Sequence, residues 1–248
     1  LPRFRQLARH EVREKSPGDV VTVADEAMEA ALAPKLSALM PGSLLVGEED
    51  SARDITVMQR LASDRPVWVI DPVDGTANFA DGREDFAVML ALVQDDDVRA
   101  GWIYAPVTDR MSYAVRGAGA FHDGRRLTKP TTENSYRGVL AVGSKGDPAL
   151  GQRVQKRRDR VHPIKSVRCA GVEYMRLAQG EVDFLMFSGV MPWDHAPGAA
   201  IIQELGGHIS YIDGKGYRPS RALQAGGILA ARDRATWDEA YRRLLAAD

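Results

Sequence analysis

The run Val67-Trp68-Val69-Ile70, followed at once by Asp71-Pro72-Val73-Asp74-Gly75-Thr76, constrains this chain more than any other stretch. The apolar run predicts a buried strand of an α/β sheet. Pro72 has no N–H and ends ladder pairing just past the strand. Two carboxylates, an exposed carbonyl, a glycine and a hydroxyl then crowd one turn. Paired carboxylates in such a place repel, and one protonates unless a cation holds both. Taken alone, the hexamer leaves two readings open. It is a metal site at the carboxyl end of a strand, or a solvated Asp-Pro…Asp-Gly turn.

The 248 residues are 44% hydrophobic and 27% charged, enough for a sizeable core in one large domain or two smaller ones. Lys plus Arg number 33 and Asp plus Glu 34, a net charge of −1, which gives bulk charge no role in nucleic-acid or membrane binding. The basic group Lys156-Arg157-Arg158 with Arg160 reads as a solvated helix face. The single cysteine, Cys169, excludes an intrachain disulfide and a cysteine-based zinc site. It reads as a small core residue and fits a reducing, cytoplasmic setting. No run approaches the ~18 apolar residues of a membrane span, and no signal-peptide pattern opens the chain. The chain begins at Leu1 instead of Met, so a trimmed upstream segment is expected.

Along the chain, Leu7 to Lys15 is expected to be helical and Ser16-Pro17-Gly18-Asp19 a turn. Ala27, Met28, Ala31, Leu32, Leu36 and Leu39 recur at helical spacing from Asp25 to Leu39, with Pro34 expected to kink or split that helix. A strand at Ser43 to Val46 precedes Gly47-Glu48-Glu49-Asp50, and a helix is expected over Ile55 to Ala62. Strands at Phe86 to Val93 and Val98 to Tyr104 make Gln94-Asp95-Asp96-Asp97 a hairpin turn, not a metal box. Strands follow at Met111 to Val115 and Ala120-Phe121. Gly117-Ala118-Gly119 lacks the βαβ setting of a dinucleotide loop. The second half alternates strands at 139–142, 164–167, 182–187, 208–211 and 227–230 with helices at 148–158, 172–178, 195–205 and 234–246. A seam near Lys129 to Arg137 divides an N-terminal region, 1–130, from a C-terminal region, 131–248, the two forming one compact unit that shares a cleft.

Further acids stand at element ends. Asp25 ends the run Val20 to Ala24, Glu48 and Glu49 follow a strand and Gly47, and Asp194 follows Pro192-Trp193, where it would cap a helix starting at His195. Singly, each has a structural explanation as a cap or a surface residue. Jointly with Asp71 and Asp74 they mark the ends of elements, where α/β sheets bind ligands. Oxygen-only donors favour Mg²⁺ or Mn²⁺ over zinc. Gly75 and Thr76 add N–H donors at a helix start, and metals beside such donors suggest phosphate-ester chemistry.

The motifs Asp19-Val20-Val21-Thr22-Val23-Ala24-Asp25, Gly47-Glu48-Glu49, Asp71 to Phe79, Gly117 to Gly124 and Trp193-Asp194-His195-Ala196-Pro197-Gly198 occur in this order. Together they resemble the inositol monophosphatase family of Mg²⁺-dependent, lithium-sensitive phosphatases. The resemblance implies a layered α-β-α-β-α sandwich of the inositol monophosphatase/fructose-1,6-bisphosphatase kind, usually a homodimer, with two or three Mg²⁺ per site. Glu48, Asp71 and the Val73 carbonyl would hold the first metal, and Asp71, Asp74 and Asp194 the second. Thr76, oriented by Asp25, and Glu48 would activate water for in-line attack on a small phosphorylated metabolite, without a phosphoenzyme. The N–H groups of Gly75 and Thr76 would hold the phosphate. Lys15 and Asp194 would also lie on the substrate side.

One position departs from the pattern. Members selective for inositol carry an acid seven positions before the Asp of the Trp-Asp pair, and here that residue is Phe187. Glu173 is expected to line the substrate pocket, either replacing that acid or selecting an amine-bearing substrate; a helix-surface residue is the alternative. Ala77 stands where nucleotidase relatives carry Lys, which disfavours a 3′-phosphonucleotide. Histidinol phosphate and sugar (bis)phosphates stay open, as does a catalytically silent phosphate-ligand binder. His195 and His208 are given no catalytic role.

Overall fold

The computed structural model describes residues 1–16, 18–130, 135–143 and 146–246. It opens with a hairpin, β1 (Val12–Ser16) and β2 (Asp19–Thr22), and helix α1 (Val23–Leu39). A seven-stranded sheet follows in the order β3 (Leu44–Gly47), β4 (Val67–Asp74), β5 (Ala87–Gln94), β6 (Asp97–Ala105), β7 (Arg110–Val115), β8 (Gly119–His122) and β9 (Arg125–Arg126). Only the β3–β4 pair in it is parallel. Two short helices, α2 (Glu48–Arg53) and α3 (Thr76–Ala80), begin where β3 and β4 end. The later strands are β10 (Arg137–Ala141), β11 (His162–Ile164), β12 (Phe184–Phe187), β13 (His208–Tyr211) and β14 (Ile228–Ala231). They form a five-stranded sheet in the order β11-β10-β12-β14-β13. Its helices are α4 (Pro148–Lys156), α5 (Ala170–Ala178), α6 (Pro192–Glu204) and α7 (Arg234–Leu244).

Hydrophobic pattern dictates the layering. Ala87, Met89, Ala91 and Val93 on β5 face the core between the sheets, while the alternate residues Leu90 and Leu92 face Leu32 and Leu36 of α1. Period-2 alternation with both faces apolar requires cover on both sides. Helices α5 and α6 fill the space between the sheets. Leu150 and Val154 of α4 and Trp237 and Leu244 of α7 cover the outer face of the five-stranded sheet. The result is the expected α-β-α-β-α sandwich.

Helix α6 is the spine of the middle layer. Ten of its residues, from Pro192 to Ile202, are buried, and a helix apolar all round belongs in an interior. Burial of a side chain such as Ile201 contributes roughly 1.5–3 kcal/mol. Its small residues let the sheet come close. A Cβ on Gly101 of β6 would lie 2.6 Å from the Pro197 carbonyl oxygen.

Several elements differ from the sequence reading. Val12 to Ser16 is a strand, not a helix, because it pairs with the apolar run of β2 (Val12 with Thr22, Glu14 with Val20). Pro17, in the turn, lies outside the described residues. Helix α1 runs on through Pro34. Pro34 and Ala30 are both exposed, so water can take the carbonyl that loses its partner. Ile55–Ala62 is helical over the expected span but of the 3₁₀ type. Strand β4 continues through Pro72: Asp71 pairs with Met89 and Asp74 with Ala87, a one-residue bulge. Helix α6 begins at Pro192, after Met191 as cap, so Asp194 sits inside its first turn and does not cap it. The Gln94 to Asp97 turn is a hairpin turn, with Asp95 at φ 55° and Asp96 at φ 54°. Of the seam, Thr131 to Asn134 lie outside the described residues.

The approach of Gly101 to α6 is checkable. Gly101→Ala should destabilise the fold by about 1–3 kcal/mol, because the added Cβ meets the Pro197 backbone, which cannot yield. Gly216→Ala, with open space around it and no left-handed φ, should stay within about 0.5 kcal/mol of wild type. Urea unfolding midpoints of the two variants give the comparison.

Candidate active site

The bulge in β4 makes the site. Residues three apart on a regular strand point to opposite faces. The extra residue between Asp71 and Asp74 cancels that alternation, and their carboxylates meet the carboxylate of Asp194 from α6. Ligand oxygens of the three lie within 4.8 Å of one another. Asp71 Oδ1 also accepts the Val73 N–H at 3.0 Å, which tightens the turn. Gly75 ends the turn at φ 85°, where a Cβ would lie 2.9 Å from the Asp85 carbonyl oxygen. Only glycine fits both constraints.

Neighbouring elements hold each group. Asp25 is the third residue of α1, and its Oδ2 accepts the Thr22 N–H at 2.9 Å and the Thr22 hydroxyl at 2.6 Å. This reciprocal capping box leaves Oδ1 turned to the Thr76 hydroxyl at 3.1 Å. The same hydroxyl lies 2.8 Å from the Val73 carbonyl, so its one proton has two acceptors. Asp74 Oδ2 accepts the Gly171 N–H at the start of α5 and the Cys169 thiol at 3.0 Å. Cys169 is buried, as expected, and burial followed by the charge of Asp74 pushes its thiol pKa well up. It is not a thiolate nucleophile. A cleft of about 540 Å³ opens over these groups, with Glu48, Asp71, Asp74, Gly75, Thr76 and Asp194 in its wall.

The whole chain, residues 2–247, matches the model of the inositol monophosphatase family. The chain belongs to that family. It is 32% identical over 219 residues to an inositol-1-monophosphatase of Mesorhizobium japonicum, covering 85% of this chain and 79% of that protein. It is 30% identical over 204 residues to a fructose-1,6-bisphosphatase/inositol-1-monophosphatase of Thermotoga maritima, covering 82% and 76%. The structure of Staphylococcus aureus inositol monophosphatase II bound to inositol monophosphate superposes with a TM-score of 0.74 at 25% identity, covering 89% of this chain and 82% of that one. The protein is a phosphoric monoester hydrolase of a metal-dependent family.

The donor set fits a metal. Burial first, then the charges of Glu48, Asp74, Asp194 and Asp25, push the Asp71 carboxyl well above its usual range. Burial also raises Asp74, opposed by Cys169 and the N–H groups of Gly171, Ala170 and Gly75. A hard divalent cation among these oxygens removes that conflict.

Not every expected residue reaches the cleft. Lys15 Nζ lies 2.8 Å from Glu48 Oε1 and 3.0 Å from Glu49 Oε1. Burial disfavours its charge, but the two glutamates outweigh that and raise its pKa. Lys15 is therefore placed as a counter-ion to Glu48, which lines the cleft. Glu173 is buried on α5 and turned inward: Oε1 accepts the Val167 N–H at 2.7 Å and Oε2 faces Arg176 Nη1 at 3.0 Å. Neither expected reading of Glu173 holds in this geometry, because that carboxylate staples the loop before α5. Phe187 is buried against Tyr174 and His195, with ring centroids 5.8 and 4.9 Å away. His195 bridges the Tyr174 hydroxyl at 3.0 Å and the Gly189 carbonyl at 3.1 Å. Burial lowers its pKa to about 4, so it stays neutral at physiological pH. Gln155, Ser166 and Arg168 line the cleft and went unmarked in the sequence. Arg168 has φ 63°, a left-handed backbone that no residue type at that position announces.

The acid cluster fixes a pH dependence. A carboxyl such as Asp71, whose pKa is higher folded than unfolded, holds its proton more tightly in the native state. Its contribution to stability is complete below the unfolded value of 3.8 and disappears as pH rises through the folded one. Protein stripped with EDTA should therefore lose thermal stability as pH climbs from about 4 toward neutrality, and Mg²⁺ should restore it. Asp71→Asn should raise the Tm of the stripped protein near neutral pH by about 2–4 °C per kcal/mol of repulsion relieved. Melting curves across pH, with and without EDTA, measure both; a stripped wild type that gains stability with pH would contradict the assignment.

Proposed function

We propose that this enzyme hydrolyses a small phosphorylated metabolite with Mg²⁺, or Mn²⁺, held by Glu48, Asp71, the Val73 carbonyl, Asp74 and Asp194. The convergence of Asp71, Asp74 and Asp194 beside the Asp25–Thr76 pair carries the reading. When bound, the ions supply charge neutralisation at the phosphoryl oxygens and lower the pKa of water. The chain supplies the alignment. Asp25 has one oxygen committed to Thr22, so its other oxygen is a fixed acceptor for the Thr76 proton. With that proton turned to Asp25, the lone pairs of the Thr76 oxygen face an attacking water, which Glu48 shares. The N–H groups of Gly75 and Thr76 receive phosphoryl oxygens. Fixing the nucleophile in line with phosphorus is most of what such a site must do.

The substrate follows from what the relatives bind and what this cleft contains. Relatives have been solved with inositol monophosphate and with 2′-AMP. Here Phe187 offers no acceptor to a polyol and Glu173 is committed to Val167 and Arg176. Inositol phosphate is therefore not singled out by this cleft, histidinol phosphate and sugar phosphates stay open beside it, and Ala77 weighs against a 3′-phosphonucleotide. We place the enzyme in the cytoplasm as a lithium-sensitive homodimer. Among the described residues no helix is long and apolar enough to cross a membrane.

Asp71→Asn and Asp194→Asn should each lower phosphate release by at least roughly 10²–10³-fold, the scale for losing a group that stabilises transition-state charge, with folding retained by circular dichroism. A panel of inositol-1-phosphate, fructose-1,6-bisphosphate, histidinol phosphate and adenosine 3′,5′-bisphosphate, each with and without Mg²⁺, reads kcat/KM. Full activity of either variant would remove the metal assignment, and a clear preference for inositol-1-phosphate would remove the inference from Phe187.

A further inference from the structure

Glu48 leaves the chain at the first residue of α2, and α2 has only six residues. So short a helix has no stability of its own, and its first N–H groups need acceptors. Its cap residue, Gly47, has no side chain to offer. The acceptor comes from another helix. Glu29 of α1 is 4% exposed; its Oε2 accepts the Glu49 N–H at 2.9 Å and its Oε1 the Asp50 N–H at 2.8 Å. The α2 backbone flanking Glu48 is thereby fastened to α1, the helix that also carries Asp25.

Gly47 is matched to this arrangement. A Cβ there would fall 2.2 Å from Glu29 Oε2 and 2.3 Å from its carboxyl carbon. Its φ of −105° is open to any residue, so the glycine is required by the carboxylate and not by the turn. The placement is also electrostatically unfavourable. Glu48, Glu49 and Asp50 fill the first turn of α2, and the opposing cations are Arg53, 3.7 Å from Glu29 and 3.6 Å from Asp50, Arg60, 3.6 Å from Asp50, and Lys15 on Glu48 and Glu49. A neutral cap would hold the helix at less cost. A buried carboxylate that takes both N–H groups at once holds it in one place.

We propose that Glu29 is a positioning residue for Glu48: by clamping the first turn of α2 to α1 it sets where the Glu48 carboxylate stands relative to Asp71. The proposal rests on the metal reading of the cleft, and its test separates the two. Mn²⁺ binding to the full chain, followed by electron paramagnetic resonance and by calorimetry, should be saturable in wild type and lost in Asp71→Asn. Glu29→Ala should weaken Mn²⁺ binding roughly 10–100-fold, the range for groups that orient metal ligands, and Glu29→Gln less. Activity of both variants should recover as the metal concentration is raised. Gly47→Ala should weaken Mn²⁺ binding in the Glu29 background and have a smaller effect alongside Glu29→Ala, where the clash is gone; that non-additivity marks direct contact. A wild type that binds no Mn²⁺ would overturn the metal reading and this inference with it. Wild-type binding that is matched by Glu29→Gln and Glu29→Ala, with only a lowered Tm, would leave Glu29 as a structural cap and overturn the inference alone.

Discussion

The repulsion among carboxylates at the end of β4 is the constraint that the rest of this molecule is arranged around. Asp71 and Asp74 are thrown onto one side by a single inserted residue, and Asp194 is brought to them by α6. Without a cation this cluster opposes folding, since Asp71 and Asp74 are buried, Asp194 is half-buried, and like charges face one another. The fold must hold it together by contacts made elsewhere. It does so with backbone N–H groups, the hydroxyls of Thr22 and Thr76, the Cys169 thiol and one lysine. The start of α5 takes Asp74, the start of α1 takes Asp25, and Lys15 takes Glu48. Helix starts suit this task because their N–H groups lack partners and carry partial positive charge. The acids are thereby fixed by contacts that leave their like charges facing one another.

The distance between the two sheets is set by the same need. Asp194 must reach β4 from a helix in the middle layer, so α6 has to press on the seven-stranded sheet while supporting the five-stranded one. Its run of Ala, Pro and Gly with only two large aliphatics at the far end allows that approach. Gly101 removes the Cβ that would stand in the way, and Gly198 lies against the face of the Tyr174 ring. Packing of the middle layer and geometry of the acid cluster are therefore one property. A change that widens the layer moves Asp194 relative to Asp71.

What was legible in the sequence follows from which residues carry local information. Asp and Gly at turns, and acids next to apolar runs, are short-range signals, and they identified Asp25, Glu48, Asp71, Asp74 and Asp194 as belonging at element ends. Strands and helices were legible for a similar reason, since the apolar run of Phe86 to Val93 and the helical spacing from Asp25 to Leu39 are local, while the layering came from the family resemblance. Long-range pairing was not legible. Val12 to Ser16 takes the conformation that β2 demands, and its mixed composition gives no sign of it. Side-chain direction was legible least. Glu173 and Phe187 stand near the cleft in sequence but are turned into the interior by Arg176, Val167 and the Tyr174–His195 pair. The sequence also gave no warning of Arg168, which enters the cleft wall through a backbone conformation that only a fixed loop enforces.

That division separates chemistry from selectivity in this enzyme. The groups proposed for phosphate-ester cleavage stand at the ends of β3 and β4 and at the starts of α1, α3 and α6, all tied to backbone and hard to move. Besides Gly18, Asp19 and Val20 of the β1–β2 hairpin and Gly189, the cleft wall draws on the end of β10, on α4 and on the loop before α5: Leu140, Val142, Gln155, Ser166 and Arg168. These side chains carry none of the acid cluster's burden, so they can change without disturbing it. An acceptor for polyol hydroxyls at position 187 would have to leave the Tyr174–His195 packing and enter the cleft, which requires repacking three rings. A substitution at Gln155 requires no such movement. Selectivity in this chain is thus more readily altered from the α4 side of the cleft than from β12, because the α4 side is free of the bonds that hold the acid cluster.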